Sequence, residues 1–170
     1  LTLRETSLLR QCILHGDSRK GFVDWRDFLD QGDQVDTREI EASLQSIEAD
    51  DPCIMMYTSG TTADPKGCPM HQSMLVRNGQ NMNRSRFFLD ENDRFWAPLP
   101  MFHMASILPY LCCVDAGAAM ISITYVDAGD SLAIHDRERA TIVIPYIPTV
   151  IQAFLYHPYF PSRSPYTLKI

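Results

Sequence analysis

The chain has 170 residues, with 15 Lys and Arg against 21 Asp and Glu, a formal charge of −6, 45% apolar residues and 21% charged ones. Such a mixture excludes disordered and collagen-like chains, and the length suffices to bury roughly 70% of the unfolded surface in one core. The acidic balance argues against nucleic acid as a partner, because a phosphate-binding face needs clustered cations; only Lys20, Lys66 and Lys169 are lysines.

Residues 1 to 35 read as irregular and charged, with a short helix around Asp24 to Leu29. Asp36 followed by Glu39 resembles a helix start, and Ile40, Leu44 and Ile47 then fall at helical spacing until Asp50-Asp51-Pro52 ends the element. Cys53 to Tyr57 is a continuous apolar run of the kind a buried strand shows, followed by the polar loop Thr58 to Gly67. His71 to Phe88 reads as a helix, Arg94 to Leu99 as a strand, and Pro98 and Pro100 bracket a turn into Met101-Phe102-His103.

A helix from about Met104 to Asp115 precedes a strand from Ala119 to Tyr125. Asp127 to Arg139 is amphipathic, Thr141 to Ile144 is a short β-branched run, and Pro148 opens a last helix that ends before Pro158. Strands alternating with helices of this length predict an α/β fold with a largely parallel sheet and flanking helices, and no composition shift divides it. The apolar stretch Met104 to Val126 contains Pro109, Asp115 and Gly117, so it reads as a buried helix and a strand, with no transmembrane segment. Cys12, Cys53, Cys68, Cys112 and Cys113 lack paired C-x-x-C spacing, so neither a disulfide framework nor a zinc site is expected, and a reducing, cytoplasmic setting is.

The loop Thr58-Ser59-Gly60-Thr61-Thr62-Ala63-Asp64-Pro65-Lys66-Gly67 concentrates hydroxyls, two glycines and one lysine. Polyphosphates need these parts: glycine for close backbone approach, O–H and N–H donors for phosphate oxygens, and a point charge. Its place after a strand expected to be parallel suits a ligand, which sits outside the carboxyl ends of such strands. Pro65 before Lys66 and Gly67 after it exclude a Walker P-loop. From composition alone, a surface loop of turn-formers is the more ordinary reading.

Tyr57 to Gly67 resembles the phosphate-loop signature of the adenylate-forming enzymes, the AMP-dependent acyl-CoA synthetase and ligase superfamily. Pro98-Leu99-Pro100-Met101-Phe102-His103 resembles a second motif of that family, and Ala116 to Ala119, Arg139-Ala140-Thr141 and Pro148-Thr149-Val150 follow in matching order. The resemblance covers about Asp51 to Ile170, and less clearly Trp25 to Gly32. It implies a segment of the family's large N-terminal domain, with residues 1–50 as a lead-in to the same domain and 51–170 as the AMP-binding segment. It also implies a two-step reaction, in which a carboxylate attacks the α-phosphorus of ATP and a thiol, usually coenzyme A, then displaces AMP.

By that resemblance Thr58, Ser59, Gly60, Thr61, Thr62, Lys66 and Gly67 hold the ATP phosphates, with Lys66 and Thr62 assisting departure of pyrophosphate. His103 resembles the family histidine between carboxylate and adenylate; its ordinary alternative is a core histidine hydrogen-bonded beneath a helix start. The wording from Arg94 to Met104 looks closest to ligases of fatty, steroid-derived or other apolar acids. Met101, Phe102, His103, Met104 and Ile107 could then line an acyl pocket, although such a stripe is more often plain core. Ala63 stands where many members have glycine. His71, one place short of a family histidine, reads as an exposed helix-start residue, and Cys68 as a packed thiol.

The family's Tyr-Gly-x-Thr-Glu segment, whose glutamate binds Mg2+, is absent from these 170 residues, as are its ribose-binding Thr-Gly-Asp and its C-terminal catalytic domain with the adenylate-contacting lysine. The resemblance implies members roughly three times this length. Beginning at Leu1 and stopping at Ile170 within an apolar run, the chain reads as a fragment of an acid–thiol ligase acting on a small carboxylic acid, ATP and CoA. A different reading is a non-catalytic remnant that binds nucleotide weakly or docks to another protein.

Overall fold

The computed structural model describes residues 9–59 and 64–162. The chain separates into two compact units, one reaching Ile47 and the other starting at Glu48. In the first, β1 (Ile13–Leu14) pairs in parallel with β2 (Val23–Asp24), and α1 (Trp25–Gly32) and α2 (Thr37–Gln45) follow. Aspartates start both helices: Asp24 accepts from the Arg26 N–H and Asp36 from the Arg38 N–H, each at 2.9 Å. A side-chain acceptor satisfies a donor that the first helical turn leaves open. The Ser18 hydroxyl and that backbone bond hold the Asp24 carboxyl below its usual range, and Arg38 does the same for Asp36.

The second unit begins with a hairpin. β3 (Pro52–Thr58) pairs antiparallel with β4 (Lys66–His71), and α3 (Gln72–Met82) continues into a π-helical turn, Asn83–Phe87. Then come β5 (Arg94–Trp96), α4 (Met104–Ala116), β6 (Ala119–Ile121), α5 (Ala128–Glu138), β7 (Ile142–Val143) and α6 (Pro148–Leu155). The three later strands form a parallel sheet in the order β6-β5-β7. The expected α/β class is therefore observed, with parallel pairing in two small sheets.

Two expectations are corrected. The Cys53–Tyr57 run is not a buried strand of the parallel sheet; it lies in an antiparallel hairpin and is mostly exposed. An apolar run of that length carries no record of its partner. The strands expected to reach Leu99 and Tyr125 end at Trp96 and Ile121. Pro98 has no N–H to offer the ladder, so β5 stops short of it.

Strand β5 organises the core. Successive residues on a strand face opposite ways, and Phe95 and Trp96 are both fully buried. Phe95 packs with Leu89, Cys112, Cys113 and Ile142, whereas Trp96 packs with Leu132, Ala140 and Phe154. Helix α4 thus covers one face of the sheet, and α5 and α6 the other. Trp96, His135 and Phe154 meet ring against ring, with centroids 4.5 to 5.5 Å apart. Burial pushes the Cys112 thiol up to about 11 and the Cys113 thiol to about 12, aided by Asp115 and by Cys112 and Asp93 respectively. Both behave as small apolar core residues. No described helix is long and apolar enough to cross a membrane.

The opposite end of the sheet is tied by a buried carboxylate. Asp93 is 1% exposed; it accepts from the Thr141 hydroxyl at 2.7 Å and the Asp90 N–H at 2.9 Å, while Thr141 Oγ1 accepts from the Arg94 N–H. Thr141→Val keeps the shape and removes the hydroxyl. It is expected to cost about 1–3 kcal/mol, because a buried acceptor loses a donor. Urea unfolding checks this, with Thr141→Ser expected to restore most of the loss.

Candidate active site

The hydroxyl-rich loop is the connection of the β3–β4 hairpin. Thr58 and Lys66 stand directly opposite one another as its last cross-strand pair, with Tyr57 opposite Gly67 one step further in. Thr58, Ser59, Lys66 and Gly67 are all exposed. Gly60, Thr61, Thr62 and Ala63 lie outside the described residues. A Cβ on Gly67 would come within 3.0 Å of Met55 Sδ and 3.5 Å of Tyr57 Cε1, a contact that the flexible Met55 side chain can relieve. Cys68, expected as a packed thiol, is exposed, because the two-stranded hairpin leaves it uncovered.

His71 is exposed and stands at the N-cap of α3, as expected for a helix-start residue. Its Nδ1 bonds the Asp50 carbonyl, and the Gln72 and Ser73 N–H groups donate to the Asp51 and Ala49 carbonyls at 3.0 and 2.8 Å. These bonds close the base of the hairpin whose far end is the loop.

The second motif lies past the carboxyl end of β5. Its turn is closed by the His103 N–H donating to the Pro100 carbonyl at 3.0 Å and by the Ser106 hydroxyl donating to the Leu99 carbonyl. His103 is the exposed N-cap of α4, and its Nδ1 accepts from the Ala105 N–H at 3.0 Å. An imidazole that accepts at Nδ1 carries its proton on Nε2, so its outer nitrogen is a donor. The remaining pocket candidates diverge. Met101 and Phe102 are exposed, Phe102 by 83%, Met104 is half-buried, and Ile107 is buried at 8%. They border the turn.

A cleft of about 550 Å³ opens in the first unit, its lining including Arg19, Lys20, Asp24 and Asp27. Opposed charges suit no single ionic ligand, and the cleft holds none of the residues singled out by sequence. Two features escaped the sequence reading. Ser106 is the tether that closes the motif turn. Tyr146, beyond β7, has φ +55°; its only signal was the pair of prolines, Pro145 and Pro148, around it.

The architecture is that of an open α/β domain segment, helices on both sheet faces, with a glycine- and threonine-rich hairpin. A model of the AMP-binding enzyme family matches residues 10–169, and the chain belongs to that family. It is 33% identical over 163 residues to YngI of Bacillus subtilis (strain 168), provisionally named an acyl-CoA synthetase, across 95% of this chain and 29% of that protein. It is 31% identical over 137 residues to a feruloyl-CoA synthase of Amycolatopsis sp, across 80% of this chain and 28% of the relative. The crystal structure of ATP-bound MatB from Rhodopseudomonas palustris is similar at 27% identity and a TM-score of 0.57, over 65% of this chain and 22% of that one. The chain thus spans less than a third of the length of these relatives.

Proposed function

We propose that this chain contributes the nucleotide-phosphate loop and one border of the acid site to an enzyme that activates a carboxylic acid with ATP and passes it to coenzyme A. Residues 51–170 form the AMP-binding segment and 1–50 its lead-in, with the rest of a family-length protein supplying the remaining machinery, including the C-terminal catalytic domain. Family membership and the resemblance to ligases of apolar acids support this reading. The observation that carries it is the pairing of Thr58 with Lys66, which sets a hydroxyl and an ammonium at the mouth of the loop.

In the first step a carboxylate oxygen forms a bond to the α-phosphorus of ATP, and the bond from that phosphorus to the β-bridging oxygen breaks. Thr58, Ser59, Gly60, Thr61, Thr62 and Gly67 orient the phosphates, and Lys66 stabilises the charge growing on departing pyrophosphate. Catalysis of this kind is positioning and charge stabilisation. His103, with Nε2–H outward, donates to a carboxylate oxygen and holds it for attack, while Phe102, Met104 and Ile107 border the acyl group. In the second step the CoA sulfur, its proton lost to solvent, bonds to the acyl carbon while the bond from that carbon to the AMP phosphate oxygen breaks and AMP leaves.

Mg2+ accompanies ATP in this chemistry. Among the described residues no cluster of three or more His, Cys, Asp or Glu could hold it. The free thiols fit a cytoplasmic enzyme.

Acid-dependent exchange of labelled pyrophosphate into ATP tests the proposal. The full-length protein carrying these residues, with Mg2+ and a panel of linear, aromatic and polycyclic acids, is expected to show exchange with at least one apolar acid. Nucleotide binding with no exchange for any acid would overturn it and favour the non-catalytic reading.

A further inference from the structure

Charge is segregated along the chain. Between Pro65 and Leu89 stand Lys66, Arg77, Arg84 and Arg86 and no Asp or Glu, so all 21 acidic residues lie elsewhere. That stretch folds as β4, α3 and the π-helical turn. Leu75 and Gly79 are the buried side of α3, Gly79 lying against Leu111 of α4. Positions i, i+4 and i+7 share a helix face, and Arg77, Asn81 and Arg84 make such a row on the opposite side. All three are exposed, as is Arg86 in the π-turn. Among the described residues the ion pairs are Arg38–Asp36 and Arg137–Glu138, so these arginines are committed to no carboxylate there.

Phe88 closes the stretch in a conformation that phenylalanine rarely accepts. Its φ is +50° and ψ 43°, at the cap position where glycine is usual. Two bonds hold it: the Phe88 N–H donates to the Asn83 carbonyl at 2.7 Å, and the Leu89 N–H to Asn83 Oδ1 at 2.8 Å. Both neighbours face inward. Phe87 meets Phe95 edge-on at 5.0 Å, and Leu89 belongs to the same core cluster. Phe88 between them is 67% exposed. The backbone thus holds a large apolar ring out in solvent at a cost that glycine would avoid. Strained residues and π-turns both concentrate at functional sites.

Met74 and Val76 on α3 are exposed as well. Guanidiniums accompanied by exposed apolar groups suit a lipid surface, where cations meet headgroup phosphates and rings enter below them. Charge also fixes the orientation. A chain of net charge −6 approaches an anionic surface through a patch of opposite sign, and α3 with its π-turn supplies one.

We propose that the outer face of α3 and its π-turn is a peripheral membrane-docking surface. Arg77, Arg84 and Arg86 bind the phosphates of anionic lipid, and Phe88 enters the bilayer interface. This stands apart from the acid-activating reading, which uses none of these residues.

Co-sedimentation of the full-length protein tests it, with vesicles of phosphatidylcholine alone and of an equimolar mixture with phosphatidylserine. Binding to the mixed vesicles is expected to exceed that to phosphatidylcholine by roughly tenfold or more, and to fall steeply with added NaCl. Each cation near such a surface is worth about fivefold, so replacing Arg77, Arg84 and Arg86 together by Gln should weaken binding by about a hundredfold. Phe88→Gly suits the turn; it should melt no lower than wild type yet bind roughly tenfold more weakly. Arg137→Gln, on α5, should bind as wild type does, and pyrophosphate exchange without vesicles should be unchanged in all these variants. Equal binding to both vesicles, or wild-type binding by the folded triple variant or by Phe88→Gly, would overturn the proposal. Wild type that binds neither vesicle yet is retained on heparin, with the triple variant released, would overturn it in favour of an acidic macromolecule. Should the triple variant fail to fold, Phe88→Gly and the salt dependence still decide.

Discussion

Lys66→Ala is expected to lower acid-dependent pyrophosphate exchange by about a hundredfold or more, with the loss in kcat as well as in KM for ATP. The reason is the charge that builds on pyrophosphate as it leaves the α-phosphorus. A single preorganised charge or donor aimed at such a group contributes about 2.7–4 kcal/mol to the transition state, and each 1.36 kcal/mol is tenfold in rate. No other lysine is available nearby in sequence, the remaining two being Lys20 and Lys169. Lys66→Arg should recover only part of the rate, since a planar fork replaces a compact point charge. Thr58→Val, which deletes the hydroxyl across the hairpin from Lys66, should act mainly on KM. Steady-state exchange at varied ATP, with a thermal melt to confirm folding, checks all three; unchanged exchange in Lys66→Ala would remove the lysine from the mechanism.

How much of this was legible in the sequence depends on the range of the interaction that determines each feature. Helix starts are local, and they were readable: Asp36 and Asp127 cap α2 and α5, and Pro148 occupies the first position of α6. So was the alternation that gives the parallel sheet. Strand β4 was not, because Gly67, Cys68, Pro69 and Met70 show no alternation and carry a proline. It exists because β3 pairs with it, Met55 lying opposite Pro69 in a two-stranded hairpin. The exposure of Met55 and Tyr57 was equally hidden, since an apolar run reports composition and not its surroundings.

The candidate site divides the same way. Lys66, His103 and their neighbours could be named from motifs, and the turn-closing Ser106–Leu99 bond could not. The tautomer of His103 needed the Ala105 N–H in place. The strain at Tyr146 needed both prolines and the path out of β7. Motifs report the chemistry that a loop advertises, whereas tertiary contacts decide where each group points.

The largest effect on stability is expected at Gly79, where α3 crosses α4. A Cβ there would lie 2.7 Å from Leu111 Cβ, 3.1 Å from its carbonyl carbon and 3.3 Å from its oxygen. Two of those atoms are backbone and the third is fixed to it, so no rotamer change relieves the overlap. Either the helices part or the core strains, at about 1–3 kcal/mol for a single methyl and more for a larger side chain. Alanine's helix propensity returns about 1 kcal/mol, so Gly79→Ala should remain mildly destabilising and Gly79→Val severely so. The Cys112 thiol, which donates to the Gly79 carbonyl at 3.4 Å, would lose that partner as the helices separate. At about 2–4 °C per kcal/mol for chains of this size, Gly79→Val should lower the melting temperature by roughly 6 °C or more. Leu111→Ala should not rescue it, because the overlapping atoms survive that change; recovery in the double variant would show that the side chain beyond Cβ was the obstacle. The same crossing links α3, which continues from the strand bearing Lys66, to α4, whose cap is His103. Gly79→Val should therefore depress exchange below the activity of wild type even at temperatures where the variant is folded, with both the ATP and the acid KM raised.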